Sequence, residues 1–227
     1  MLNDEMRQIL ESARPRGWVL EPDAKRLLAA AGLDVPRFIR TSDPEEADRF
    51  AGEVGYPVVA KVVSPEILHK SDAGGVKTGI RDGGALREAM DRFAALDRYE
   101  GTLVEETVQG LELIVGAKVD EQFGPVILLG IGGTGVEIYQ DTVIRMAPLE
   151  PRDVTSMVNG LRAHKLLEGY RGGDPVSMDA LTGTLVAFSD LVMEMADRIE
   201  SVDLNPLICS PDRCIVADAR ILLVSGD

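Results

Sequence analysis

The segment GYPVVAKVVSPEILHKSDAGGVKTGIR, residues 55–81, reads as strand, loop, strand. Residues 56–63 form a β-branched run closed by Ser64-Pro65, and 76–80 form a second, shorter one. Alternation places Val59, Lys61 and Val63 on one face of the first strand, and Lys77, Gly79 and Arg81 on one face of the second. A lysine inside an apolar strand is costly unless it meets an anion. The intervening loop carries His69-Lys70-Ser71-Asp72-Ala73-Gly74-Gly75. Adjacent glycines let backbone N–H groups turn toward a phosphate with no side chain in the way. Lys61, Lys77, Gly74 and Gly75 are thus candidates for a phosphate-gripping flap, whereas simple solvation accounts for Lys70. A lone histidine is commonly structural or merely exposed. The setting of His69, beside the glycines, makes it a candidate nucleophile, because imidazole is substantially unprotonated near neutral pH.

Outward from this segment, apolar spacing predicts helices over 4–14, 22–31, about 43–53 (capped by Ser42), 84–97 and 177–199. In the last, Leu181, Leu185, Phe188, Val192, Met195 and Ile199 make a single seam. From about 102 strands dominate: 102–106, 111–119, 125–131, 136–146, 201–209 and 214–223, with 150–175 irregular. The expected class is α+β. A helical segment 1–20 precedes one lobe at 21–102 and a second at 103–227, with a cleft between the lobes as a ligand site.

The formal charge of -14 argues against non-specific binding to nucleic acid or anionic membranes, both of which need a basic surface. The longest apolar run, 126–131, is too short to span a bilayer, and the acidic N-terminus does not read as a signal peptide. A cytoplasmic protein is expected. Two cysteines, Cys209 and Cys214, are too few for a disulfide scaffold, and neither histidine joins a zinc-spaced set. The phosphate loop G-x-x-x-x-G-K-[ST] is absent.

Two further constellations carry chemistry. The strand at 103–108 offers backbone groups to an adenine edge, and Glu112 could accept from ribose hydroxyls; a solvated strand edge accounts for Glu105 and Glu112 on spacing alone. The C-terminal hairpin is more specific. If the turn at 210–213 sets Cys209 opposite Cys214, Asn205 falls opposite Asp218, and Asp203 opposite Arg220. Opposed side chains stand about 5 Å apart at Cβ. An amide oxygen and a carboxylate that close can share a hard cation such as Mg²⁺, or simply hydrogen-bond to one another. Pro206 is a place for a bulge.

Gly55-Tyr56-Pro57-Val58-Val59-Ala60-Lys61 and Ile67-Leu68-His69-Lys70-Ser71-Asp72-Ala73-Gly74-Gly75-Val76-Lys77 resemble the ATP-grasp subunit of ADP-forming acetyl-CoA synthetases. Phe123-Gly124-Pro125-Val126, Gly132-Gly133-Thr134-Gly135-Val136-Glu137, Asp203-Leu204-Asn205-Pro206-Leu207 and Val216-Ala217-Asp218-Ala219-Arg220-Ile221 follow in family order. The Asn-Pro-Leu element is shared with succinyl-CoA synthetase β subunits, which lack a histidine in the loop. The resemblance implies an ATP-grasp fold binding ATP/ADP. It implies Lys61 on the phosphates, Glu105 and Val108 around the adenine, Glu112 on the ribose, Asn205 and Asp218 on Mg²⁺, and His69 as a transient phosphohistidine. It implies a CoA-binding and ligase α subunit as partner, through which the carboxylic acid and CoA enter. Gly169-Tyr170-Arg171-Gly172 also matches. A succinate- or malate-type CoA ligase β chain and a non-catalytic nucleotide-binding regulatory module are the competing readings.

Overall fold

The computed structural model describes residues 1–133 and 141–224. The chain divides into two compact units, Pro36–Val108, and Met1–Val35 together with Gln109–Asp227. It opens with helix α1 (Asp4–Ala13), strand β1 (Trp18–Val19) and helix α2 (Glu21–Ala30). Among the described residues no helix is long and apolar enough to cross a membrane.

The smaller unit contains β2 (Phe38–Thr41), α3 (Pro44–Val54), β3 (Val58–Val63), β4 (Val76–Ile80), α4 (Gly83–Ala94) and β5 (Gly101–Glu106). Its sheet has the order β2-β5-β3-β4, antiparallel throughout. Asp43 caps α3 by accepting the Glu45 N–H at 2.9 Å. Ser42 does not, because Pro44 occupies the first helical position and fixes the start there. Ala47, Ala51, Leu86, Ala89, Met90 and Phe93 from the helices pack on Val58, Ala60, Val62, Ile80 and Val104 of the sheet. One register detail departs from simple alternation. Val58 pairs with Ile80 but Ala60 with Lys77, so β4 spends one extra residue. Gly79, at φ +66°, supplies the left-handed backbone of this bulge. Opposed residues share a face, so Lys77 stands on the face of Ala60 and Lys61 on the face of Val76. The two lysines expected together lie on opposite faces.

The larger unit continues with β6 (Leu111–Asp120), β7 (Gly124–Ile131), β8 (Thr142–Met146), α5 (Pro151–Gly160), α6 (Met178–Met195), β9 (Ile199–Cys209), β10 (Cys214–Val216) and β11 (Ala219–Leu223). Its sheet runs β1-β11-β9-β6-β7-β8, with β10 also on β9. The seam of α6 is buried as expected from Leu181 to Met195. Ile199 leaves it: the chain turns where the Arg198 N–H bonds the Met195 carbonyl at 2.8 Å, and Ile199 opens β9. Helix α5 lies where irregular structure was expected. Pro151 starts it, the Asp153 carboxylate accepts the Glu150 N–H at 2.8 Å, and Val154, Met157 and Val158 are buried. The strand expected over 214–223 is interrupted at Ala217-Asp218. Of the strand expected over 136–146, residues 136–140 lie outside those described.

The units divide the chain at 35/36 and 108/109, not at 20 and 102. The reason is long-range. β1 pairs with β11, Trp18 against Leu222 and Val19 against Ile221. Leu2, Met6, Leu10 and Ala13 of the N-terminal segment, with Ala24, Leu27 and Leu28 of α2, join the core of the larger unit. β5, in turn, sits between β2 and β3 and so belongs with the strands before it. Leu10→Ala is therefore expected to cost about 2–5 kcal/mol in urea unfolding, as for a core leucine. A change near zero would make residues 1–20 an appendage.

Candidate functional site

In the smaller unit, Lys61 enters a sheet face from the middle of β3. Val59 pairs with Glu105 and Lys61 with Leu103, so Lys61 and Glu105 are diagonal neighbours on one face. Long side chains reach across that diagonal. Lys61 Nζ lies 3.0 Å from Glu105 Oε2, and the residues are only 6% and 2% exposed. The cost of a charge in this strand is thus offset by a carboxylate of the same sheet. Truncating one partner of such a pair typically costs about 3–5 kcal/mol, because the other charge is left buried. The anion beside Lys61 is Glu105, buried in the middle of the sheet where spacing alone reads a solvated strand edge. β5 ends at Glu106, whose N–H donates to the Arg37 carbonyl at 3.0 Å. Val108 lies past the strand, half-buried, and Thr107 donates its hydroxyl to the Pro57 carbonyl at 2.7 Å.

The loop between β3 and β4 carries His69 on the surface. Its base is fixed: the Val62 N–H donates to the Gly75 carbonyl at 2.8 Å, and the Gly75 N–H to the Lys70 carbonyl at 2.7 Å. Gly74 adopts φ +67°, and its N–H donates to the Ser71 carbonyl at 3.1 Å. A Cβ on Gly75 would run into Val62 Cγ1 and stand 3.1 Å from the Lys70 carbonyl oxygen. The glycines were expected to free N–H groups for a phosphate. Here both N–H groups close the loop on itself, because a turn this tight brings them onto its own carbonyls. Lys77 is exposed on the opposite face from Lys61.

In the larger unit the hairpin register is the one the turn implied. Cys214 pairs with Cys209, Ile215 with Ile208 and Val216 with Leu207; beyond the break, Ala219 pairs with Leu204 and Arg220 with Asp203. Across the break the Ala217 N–H donates to the Pro206 carbonyl at 3.0 Å, and the Asn205 N–H to the Asp218 carbonyl at 3.2 Å. Asn205 and Asp218 are therefore opposed, the amide exposed and the carboxylate half-buried. The bulge at Pro206 is real but faces the other neighbour. Against β6, Leu113 pairs with Leu207 and Val115 with Leu204, so β9 spends an extra residue at Asn205-Pro206. Proline has no N–H to give that ladder. The bulge also shifts which residues are buried, from Val202 and Leu204 to Leu207 and Cys209, and leaves Asn205 exposed.

Arg220 lies 3.3 Å from Asp203, as the register required. Burial pushes the Asp203 pKa up; Arg220 opposes this, and Asp218 adds to it. Glu112 is exposed on β6 opposite Ile208. Among the described residues no three of His, Cys, Asp and Glu cluster to hold a metal. An exposed amide and a half-buried carboxylate offer oxygen donors of the kind Mg²⁺ takes, an ion that seldom has an all-protein cage. The donor pair fits that ion. The cysteines are free and buried, with the Cys209 pKa pushed up by the Cys214 hydrogen bond and by burial.

An ATP-grasp domain family matches residues 11–223. The β subunit of ADP-forming acetate–CoA ligase I from Pyrococcus furiosus is 40% identical over 226 residues, covering 96% of this chain and 97% of that one. The chain belongs to the ATP-grasp β subunits of ADP-forming acetyl-CoA synthetases. The Archaeoglobus fulgidus ligase I is 36% identical over 223 residues, and the match spans 95% of this chain but 32% of that protein. A chain of the Candidatus Korarchaeum cryptofilum acetyl-CoA synthetase 1, solved with coenzyme A and Mg-AMPPCP and with its phosphohistidine segment pointing towards the nucleotide site, superposes with a TM-score of 0.84 at 37% identity; 96% of this chain and 100% of the matched chain are covered. The motif portion at 134–137 lies outside the described residues.

One buried charge escaped the sequence reading. Lys25, within α2, is fully buried and 3.1 Å from Glu21 Oε1. Its position on the apolar face, between Ala24 and Leu28, was the available signal. For the loop, Gly75→Ala is expected to cost roughly 1–3 kcal/mol in urea unfolding through overpacking. An unchanged midpoint would mean that the approach to Val62 is not tight.

Proposed function

We propose that this chain is the nucleotide-handling subunit of an ADP-forming acyl-CoA synthetase. It carries a phosphoryl group on His69 and delivers it to Mg-ADP. The overall reaction is acyl-CoA + ADP + phosphate to carboxylic acid + ATP + CoA. The observation that carries the proposal is an exposed histidine on a loop whose base is pinned by backbone hydrogen bonds at Val62 and Gly75. Such a residue is presented to reagents from outside while its anchor stays fixed.

The chemistry follows from imidazole. An unprotonated ring nitrogen attacks the phosphorus; the N–P bond forms as the bond to the donor on the partner breaks. A β-phosphate oxygen of ADP then attacks, the N–P bond breaks, and neutral imidazole is restored. Little covalent work remains for the protein, so positioning and charge neutralisation dominate. Lys61 takes the phosphates, with Glu105 holding its ammonium in place at 3.0 Å. Glu105 and Val108 lie on the adenine side, and Glu112 accepts from the ribose. Gly74, Gly75 and Lys77 shape and flank the phosphate loop. Asn205 and Asp218 would hold Mg²⁺, which when bound neutralises phosphate charge.

A CoA-binding partner subunit completes the enzyme. Support comes from the Pyrococcus relative, a β subunit by name, and from the Archaeoglobus protein, of which the matching part is 32%. The carboxylic acid and CoA enter through that partner, in the cytoplasm.

Incubation with γ-labelled ATP and Mg²⁺ is expected to leave acid-labile, base-stable label on the wild type and none on His69→Ala. ATP affinity of the variant should stay within a few-fold. Loss of ATP affinity in His69→Ala, or label retained on it, would remove His69 from the relay.

A further inference from the structure

The fully buried Lys25 is expensive for a packing residue. Its ammonium leaves water entirely, and a leucine or methionine would fill the same space without that cost. Glu21, one turn earlier on α2 and 5% exposed, neutralises it at 3.1 Å. The ammonium has three donors, and one goes to the Ala217 carbonyl oxygen at 2.8 Å, across 192 residues of sequence. Ala217 is the first residue of the two-residue break between β10 and β11.

Both backbone groups of Ala217 are thereby tied. Its carbonyl accepts from Lys25, and its N–H donates to the Pro206 carbonyl. The next residue is Asp218, whose carbonyl accepts the Asn205 N–H and whose Oδ1 accepts the Ala219 N–H at 2.9 Å. The break leaves Ala217 and Asp218 outside the regular strands, while Pro206 opposite has no N–H to offer. A charged anchor from a helix secures what the interrupted strands hold less firmly.

We infer that Lys25, paired with Glu21, is a positioning residue for the Asn205–Asp218 cation site: it fixes the Ala217-Asp218 backbone so that the carboxylate stands opposite the amide. This inference rests on the reading of that pair as the Mg²⁺ site. Removing a hydrogen-bonded support behind a metal ligand typically weakens metal binding by about 10–100-fold.

The test is calorimetric titration of ADP into the whole chain at a series of Mg²⁺ concentrations, and without metal. The variant Lys25→Met/Glu21→Leu leaves neither buried charge alone. The Mg²⁺ concentration for half-maximal enhancement of ADP affinity should rise about 10-fold. Metal-free ADP affinity should be unchanged. Lys25→Arg keeps the charge pair while moving the donor from the Ala217 carbonyl, and should shift the same midpoint in the same direction by a smaller factor, which preserves the test if the double variant does not fold. A lower melting temperature with an unmoved Mg²⁺ midpoint would reduce Lys25 to a structural residue. Asp218→Ala, run in parallel, separates the two claims. If it moves the midpoint and the Lys25 variants do not, the positioning role alone fails. If Asp218→Ala leaves it unmoved, the metal assignment fails and the positioning role falls with it.

Discussion

The antiparallel pairing of β9 with the strands after its turn is the constraint on which the larger unit depends. One register runs from Cys214 on Cys209 to Leu222 on Ser201, across the interruption at Ala217-Asp218. A slip of one residue would send every side chain of β9 to the other face. Leu204 and Leu207 would leave the core and Asn205 would enter it. The same pairing that buries Val202, Leu204, Leu207 and Cys209 therefore holds Asn205 opposite Asp218 and Asp203 beside Arg220. Core burial and the opposition of Asn205 to Asp218 are set by a single choice of register.

Two bulges adapt the sheets locally. At Gly79 an extra residue in β4 separates the faces of Lys61 and Lys77. At Asn205-Pro206 an extra residue in β9 meets the missing proline N–H and turns the following residues back to the core. Each sits next to residues proposed to meet the phosphates or the metal, and bulges commonly re-aim side chains. The buried charges follow a matching logic. Lys61 meets Glu105, and Lys25 meets Glu21 and the Ala217 carbonyl. Neither ammonium is carried in the interior without an oxygen partner.

Much of this was legible from local sequence. The turn at 210–213 fixed the hairpin partners, since antiparallel register needs only one known pair. The α6 seam announced a core helix, and the lysine inside β3 called for an anion, though Glu105 itself read as a solvated edge residue. What local reading missed was decided at long range or by backbone geometry. The first 35 residues join the larger unit because β1 pairs with β11, about 200 residues away. The bulge at Gly79 breaks the strict alternation that the sequence pattern implies. The glycine N–H groups turned inward onto Ser71 and Lys70 carbonyls, a choice that composition does not encode. Helix α5 is marked by Pro151 with Val154, Met157 and Val158, but polar neighbours mask its apolar face. Lys25 looked like an ordinary helix lysine because its acceptor, Ala217, lies at the other end of the chain.

The central claim is that Asn205 and Asp218 act as one cation site because the register opposes them. A double-mutant cycle tests it most directly: Mg²⁺-dependent ADP affinity of Asn205→Ala, Asp218→Ala and the pair, read at fixed ionic strength. Residues that share one ion should be coupled, so the double variant should lose little more than the worse single variant. Losses that simply add would place the two side chains at independent positions and contradict the account.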